Sequence, residues 1–509
     1  MQFNLICAGD YIMNLQQAFR RTLPACLALL LAGTLLAQDH SSRAAERPSL
    51  AQLERDLPDL MRQADVPGVA IVTVSGGKLA WHHNFGVKNA KSGELVTDDT
   101  IFEAASLSKP VFTYAVLKLV DQGKLGLDTP LSSYLPKPYI DGDDRLGKIT
   151  ARIVLSHRTG FPNWRNDGPL TIRFTPGERF SYSGEGFVYL QTVVEKITGE
   201  PLNDLMNALV FTPVGMTSSS YTWRSDFDAR TAYGHDSDGT AGDLRKDDHF
   251  NAAASLNTTA HDYALFLAAI LNGTGLKPST LREMETPQIA VDPQCTNCTD
   301  RVPAELSRNL FWGLGWGIEQ QAHSKRLWHW GDNGSFKCFV VADPAHKSAV
   351  VMFTDSENGL AIAPAIFRET TGLAPLAFTS QWLKYDAYDS DSMQFSRAVR
   401  DSSVEAAIQK FDAPLKSGSI SEDSINSLGY RLLRRKRLPD ALRIFQLNTG
   451  LHPQSWNTWD SLAEAYMNSG DKPRAIQFYE KSLALNAKNQ NATSQLKKLR
   501  EPAPDTAKP

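Results

Sequence analysis

Apolar positions along the chain switch between a period of two and a period near 3.6, and the switches outline its elements. From Gly68 to Val87, Val-Ala-Ile-Val-Thr-Val and Leu-Ala-Trp-His-His-Asn-Phe-Gly-Val flank Ser75-Gly76-Gly77-Lys78. Two β-rich runs about a Gly-Gly turn predict a hairpin. His82 and His83 are adjacent in its second run, so a strand turns them to opposite faces, which suits surface decoration better than a metal site. The run from Val111 to Val120, ending near Gly123, predicts a helix. So do Phe187 to Ile197, closed by Gly199, and Thr258 to Leu271, with Asp262 near its start and Gly273 beyond its end. Residues 224–251 are polar and rich in Asp and Gly, a surface loop or lid. β signals return at Leu314-Gly315-Trp316-Gly317-Ile318, at Cys338 to Ala342 and at Ala349 to Thr354. Strands at both ends around a helical middle predict an α+β domain whose sheet draws on both.

A repeat follows. Leu428 and Leu462, Gly429 and Ala463, Ala441 and Ala475, Phe445 and Tyr479, Pro453 and Ala487 stand 34 residues apart. Small residues at close helix contacts with a large apolar neighbour, at that period, match the tetratricopeptide (TPR) pattern; Trp459 and Tyr466 fill further positions of the second copy. Two copies and a last helix (Ala492 to Leu499) fall short of the ~3 repeats expected to stand alone, so the segment is expected to dock on the preceding domain, self-associate or hold a protein partner. The predicted organisation is 46–378 for the main domain, 379–420 for an Asp-, Ser- and Lys-rich linker, 421–500 for the helical repeats and 501–509 for a disordered tail.

The 509 residues are 42% hydrophobic and 21% charged, globular composition with room for more than one domain. A net charge of −3 removes any bulk electrostatic case for nucleic acid. Arg20 and Arg21 precede an apolar run from Leu23 to Ala37, which reads as a signal peptide over 1–37 and predicts an exported, periplasmic or secreted protein. That run is shorter than the ~20 residues of a membrane span, so no stable span is expected. The basic pair lies close behind Met13, which makes Met13 an alternative start. Cys7 and Cys26 fall in the leader. Cys295 and Cys298 lack the second pair a zinc site needs and suit a local disulfide; Cys338, followed by Phe339-Val340-Val341, suits a buried thiol.

The densest chemistry is Ser106-Leu107-Ser108-Lys109, at the start of the Val111 helix. Positions i and i+3 share a helical face, so the Lys109 amine can reach the Ser106 hydroxyl, which is a weak nucleophile until a base removes its proton. Pro110 fits a helix that has only just begun. A lone Ser-x-x-Lys is as readily a plain helix start, and Tyr182, Trp164, Trp312 and Trp316 taken singly read as core or cleft wall. Three further blocks decide between the readings: Ser156-His157-Arg158-Thr159-Gly160, Tyr182-Ser183-Gly184 after a Pro-Gly turn, and His329-Trp330-Gly331 before a late strand. His157, in a turn block, reads as a structural hydrogen-bonder.

In this order, with the Phe102-Glu103 lead-in and Gly313-Leu314-Gly315-Trp316-Gly317, the motifs over roughly residues 50 to 375 resemble the serine hydrolases related to class C β-lactamases. These include penicillin-binding proteins, D-amino-acid peptidases and β-lactamase-like carboxylesterases. The resemblance implies a β-lactamase/transpeptidase-like fold: an antiparallel sheet flanked by helices, plus a mostly helical lobe, with the site between them. It implies that Ser106 forms an acyl-enzyme on an ester or amide, from a small molecule or peptide, with Lys109 and Tyr182 together as base. Packed together, the pair can share one proton, the cation lowering the phenol and desolvation lowering the amine. The backbone N–H groups of Ser106 and Asp332 would bind the oxyanion, His329 would orient or attract substrate, Trp330 would shape the cleft, and Gly331 and Gly184 would line it. No metal and no organic cofactor is required. Two departures matter: Gly184, followed by Glu185, stands where the family commonly has an amide-binding Asn, and His329 where class C β-lactamases have Lys. Both lean away from an efficient β-lactamase and leave an esterase or D-amino-acid peptidase. The alternative is a scaffold with a relic hydrolase lobe and a partner-binding TPR segment.

Overall fold

Val69 and Ile71 point to one side of the first strand and Ala70, Val72 and Val74 to the other, and both sides are buried. A strand covered on both faces needs a layer of helix on each. The computed structural model describes residues 50–165, 168–246, 250–292, 295–299, 306–321, 324–371 and 387–501. The expected leader and residues 379–386 and 502–509 lie outside them.

The strands are β1 (Gly68–Ser75), β2 (Lys78–Asn89), β3 (Glu94–Leu95), β4 (Phe102–Glu103), β5 (Asn257–Thr258) and β6 (Ile289–Ala290). They continue as β7 (Leu310–Trp312), β8 (Gly317–Gln321), β9 (Ser324–Asp332), β10 (Lys337–Asp343) and β11 (Ser348–Thr354). Nine of them form one sheet in the order β3-β2-β1-β11-β10-β9-β8-β7-β6, with β4 and β5 paired apart. The expected hairpin is β1–β2, turned by Gly76 and Gly77 at φ 58° and 75°. β1 also pairs with β11, Val69 opposite Thr354, so the sheet does close on both ends of the domain.

Helix Leu50–Ala64 buries Leu53, Leu57, Met61 and Ala64, one stripe at three- and four-residue spacing. With Ile366 and Phe367 they pack on the face carrying Val69, Ile71, Phe339, Val341, Val350 and Met352. The opposite face, with Ala70, Val72, Val340 and Val351, lies under helices Ser108–Asp121, Gly184–Thr198 and Ala260–Leu271. Thr259 caps the last of these by accepting from Asp262 N. Residues 224–246 are mostly irregular, as expected of the polar stretch, yet Phe227, Ala232, His235 and Ala241 anchor them by burial. Cys295 and Cys298 are joined by a disulfide, and Cys338 is a buried free thiol.

The expected linker is corrected. Asp391–Asp401, Val404–Lys410 and Asp412–Ser417 are helices, and Phe395, Val399, Val404, Phe411 and Leu415 share one core with Ile425, Leu428, Phe445 and Leu462. Part of the serine content that suggested a linker is helix-start chemistry: Ser390 and Ser403 accept from Met393 N and Ala406 N. Helices Leu438–Leu451 and Lys472–Leu485 begin and end 34 residues apart, and Leu428, Leu462, Ala441, Ala475, Phe445 and Tyr479 are all buried. A Cβ at Gly429 would lie 2.6 Å from the Phe445 ring, so the small residue sets the helix approach. This all-α region is held to the main domain by Arg435, which grips Asp236 and Asp238, and by Arg400 on Asp65.

Candidate active site

Ser106 lies in a single 3₁₀ turn, Ala105–Leu107, leading into helix Ser108–Asp121. Ala105 adopts φ 45°, a left-handed conformation that costs a non-glycine residue about 1–3 kcal/mol and persists only where its surroundings impose it. They do so here. Ala104 N donates to Leu256 O, Leu107 N to Ala104 O, and Ser108 Oγ to Ala105 O at 2.5 Å. Gly331 closes the other side: a Cβ on it would meet Cys338 Sγ at 2.3 Å and Ala104 O at 2.5 Å. The expected lining residue Gly331 therefore serves as a point of close approach, bringing the end of β9 against the turn that carries Ser106.

Lys109 completes the one-turn spacing read from the sequence. Its Nζ donates to Ser106 Oγ at 3.1 Å and to Ala253 O at 2.9 Å. The amine is fully buried, 4.7 Å from the centre of the Tyr182 ring and 5.6 Å from that of Phe187. Burial lowers its pKa to about 7, so a large fraction is neutral near neutral pH. Tyr182 goes the other way. Burial pushes its phenol well above 10, against a smaller downward pull from the Ser106 hydroxyl, although its oxygen makes no hydrogen bond of normal geometry. The expectation that the cation lowers the phenol is thus replaced by a division: Lys109 loses its proton and Tyr182 keeps one.

Tyr182 is held by rings. His157 stacks on it at 4.1 Å between centroids, and Trp330 lies 5.0 Å away. His157 itself has φ 54°, accepts from Ser183 N at 3.0 Å through Nδ1, and is kept neutral by burial and by the charge of Lys109. Trp330 is nearly buried and backs the tyrosine. His329 is fully buried, with Nδ1 2.8 Å from Trp330 O and Nε2 without a partner. Burial, then the charge of Lys109, lower its pKa to about 3, so it cannot attract an anionic substrate by charge at neutral pH. Asp332, the last residue of β9, binds Lys337 through its carboxylate and accepts from Gly334 N at 2.9 Å.

Gly184 holds no empty space. A Cβ there would fall 2.6–2.8 Å from three atoms of the Trp164 indole. The loop bearing Trp164 is fastened to the motif: Ser183 Oγ donates to Pro162 O, Gly184 N to Asn163 Oδ1, and Glu185 N to Asn163 O. Arg165 closes it, its backbone N and guanidinium donating to the buried Glu185 carboxylate at 3.0–3.1 Å. Sequence reasoning missed this clamp; a glutamate in the first turn of an apolar helix was its signal. Beside β4, Glu103, Arg245, Phe250, Ala254 and Asn333 line a small solvent-open cleft. Among the described residues no group of three metal-ligating side chains occurs, and no helix is long and apolar enough to cross a membrane.

A protein-family model described as Beta-lactamase matches residues 50–369. Esterase EstB of Burkholderia gladioli is 27% identical over 203 residues, covering 34% of this chain and 51% of the esterase, so the match spans about half of that relative. Penicillin-binding protein 4 of Amycolatopsis lactamdurans is 25% identical over 344 residues, covering 62% of this chain and 87% of that protein. Among solved structures, the D-alanine carboxypeptidase AmpC of Burkholderia cenocepacia superposes with a TM-score of 0.52 at 21% identity, covering 64% of this chain and 99% of that one. The octameric penicillin-binding protein homologue of Pyrococcus abyssi gives 0.53 at 21% identity, over 69% and 81%. These two likenesses carry the fold.

Proposed function

The chain belongs to the beta-lactamase family of serine hydrolases, and on that premise we propose that it is an exported enzyme that cleaves carboxylic esters through an acyl-enzyme on Ser106. One observation carries this: a neutralisable amine, Lys109 Nζ, sits 3.1 Å from the Ser106 hydroxyl with its pKa lowered to about 7.

Lys109, as free amine, takes the Ser106 proton while Oγ bonds to the substrate carbonyl carbon. The carbonyl oxygen becomes an oxyanion, received by the backbone N–H groups of Ser106 and Asp332. Tyr182 passes its proton to the departing alkoxide and is reprotonated by the Lys109 ammonium, which returns Lys109 to the neutral form. Water then repeats the sequence on the acyl-enzyme, releasing the acid and restoring Ser106. His329 stays neutral and offers Nε2 as a hydrogen-bonding group. Ester cleavage is favoured over amide cleavage because position 184 has no amide-binding side chain and the indole fills its space. The esterase relative is consistent with this.

Export rests on the basic and apolar pattern of residues 20–37. The C-terminal helices, with their 34-residue period, are read as a TPR-type segment for a protein partner or a second copy.

Intact-mass spectrometry after treatment with a fluorophosphonate, an activated ester and a penicillin tests the proposal. A Ser106-dependent adduct, formed faster with the ester than with the penicillin, is expected. No adduct from any reagent on folded protein would defeat it.

A further inference from the structure

We propose that Trp164 is the residue that sets substrate choice, forming an aromatic wall that selects esters whose acyl group carries a flat apolar substituent beside the scissile carbonyl. The inference rests on the serine-hydrolase reading above.

Three observations carry it. Ser183 is extended (φ −140°, ψ 118°), so the side chain of residue 182 and any side chain of residue 184 would leave the backbone on the same side. That is the side on which the Tyr182 ring meets Lys109. The place a residue-184 side chain would occupy is taken by the Trp164 indole. Second, the indole is 40% exposed although it is among the largest apolar side chains of the protein. Third, the loop that carries it is fastened. Pro162, Asn163 and Arg165 are each hydrogen-bonded to Ser183, Gly184 or Glu185, and Arg165 further donates to Tyr139 Oη at 3.1 Å. Tyr139 in turn stacks on the buried Tyr189 at 4.4 Å. A large ring on a fastened loop, 40% exposed and packed against the Tyr182-Ser183-Gly184 motif, offers a flat apolar contact and little to an amide. Stacked or edge-on ring pairs add up to about 1.5 kcal/mol beyond burial, which corresponds to about tenfold in affinity.

The experiment compares p-nitrophenyl phenylacetate with p-nitrophenyl acetate, which share a leaving group, on wild type, Trp164→Ala and Trp164→Phe. Trp164→Ala is expected to lose about tenfold more in kcat/KM on the phenylacetyl ester than on the acetyl ester, mainly through KM. Trp164→Phe is expected to recover most of the difference. Equal losses on both esters, or none, overturn the proposal. Calorimetric binding of p-nitrophenyl phenylacetate to Ser106→Ala, with and without Trp164→Ala, separates this inference from the reading beneath it. If wild type hydrolyses neither ester and fluorophosphonate leaves Ser106 unlabelled, the hydrolase reading fails. Weaker binding by the double variant would still establish the aromatic wall, and equal binding would remove it.

Discussion

The indole of Trp164 and a side chain at position 184 exclude each other, since a Cβ on Gly184 would lie 2.6 Å from the ring. Putting Asn at 184 therefore does more than add a hydrogen-bonding group; it displaces the Trp164 indole. Gly184→Asn alone is expected to lower kcat/KM on esters about tenfold or more, the order expected when ~1.4 kcal/mol of positioning is lost. Gly184→Asn with Trp164→Ala is expected to regain ester turnover and to gain on anilides. Parallel ester and anilide assays on the single and double variants check this.

The pH profile follows from which group titrates. Lys109 accepts the Ser106 proton only as free amine, and its pKa is about 7. Activity is expected to rise with pH through that value and to level off above it. Tyr182, pushed well above 10, adds no limb in the assay range, and His329, near 3, adds none either. Lys109→Arg, which cannot lose its proton, is expected to fall by about 10²–10⁴. A kcat/KM profile from pH 5 to 9 that is flat would contradict the assignment.

The same burial acts on stability with a definite sign. The unfolded chain holds a proton on Lys109 up to about its ordinary pKa of 10.5, the folded chain only up to about 7. Between those values the unfolded state binds more protons, so this residue's contribution to stability improves as pH rises. Lys109→Met is expected to raise the urea midpoint at pH 7 while abolishing turnover, and its advantage is expected to shrink towards pH 10. Urea titrations at both pH values measure it.

Gly331→Ala tests the contact that brings β9 to the Ser106 turn. The new methyl would meet Cys338 Sγ and the Ala104 carbonyl, and the latter is backbone that cannot step aside. A shift of the turn by under an ångström is expected to lower kcat by about 10², with KM less affected. Steady-state kinetics beside an unchanged circular-dichroism spectrum would show it; wild-type kcat would not fit.

A truncation at residue 420 cuts through a core, because Val399, Phe411 and Leu415 are covered by Ile425, Leu428 and Phe445. Removing 421–509 is expected to give aggregated protein. Removing 387–509 takes that core away whole and is expected to leave soluble, Ser106-labelled hydrolase. Size-exclusion chromatography with fluorophosphonate labelling distinguishes them.

Much of the fold was legible because its signals are local. The Gly76–Gly77 turn, the Gly199 helix end and the 34-residue spacing each depend on neighbours in sequence. So does the Ser106–Lys109 contact, which is one helical turn. The connecting-segment expectation gives way over residues 391–417, where Ser390 and Ser403 cap helices instead of marking a loop. Trp164 over Gly184 was out of reach: twenty residues separate them, and nothing in either stretch says that the loop folds back. The split between Lys109 and Tyr182 depends on how deeply each is buried, which no motif states.

The pairing of Val69 with Thr354 has a consequence for how the molecule comes into being. The first strand's neighbour on its far side is the last strand in the chain, so that edge stays unpaired until roughly 280 further residues have been made. Such distant pairing slows folding, because a long loop must close before any contact repays it. The Ser106 turn is caught in the same wait, since Gly331, which presses on it, is also supplied late. A growing chain is therefore expected to lack its reactive serine geometry until synthesis has passed the final strand, which keeps the nucleophile dormant in unfinished protein.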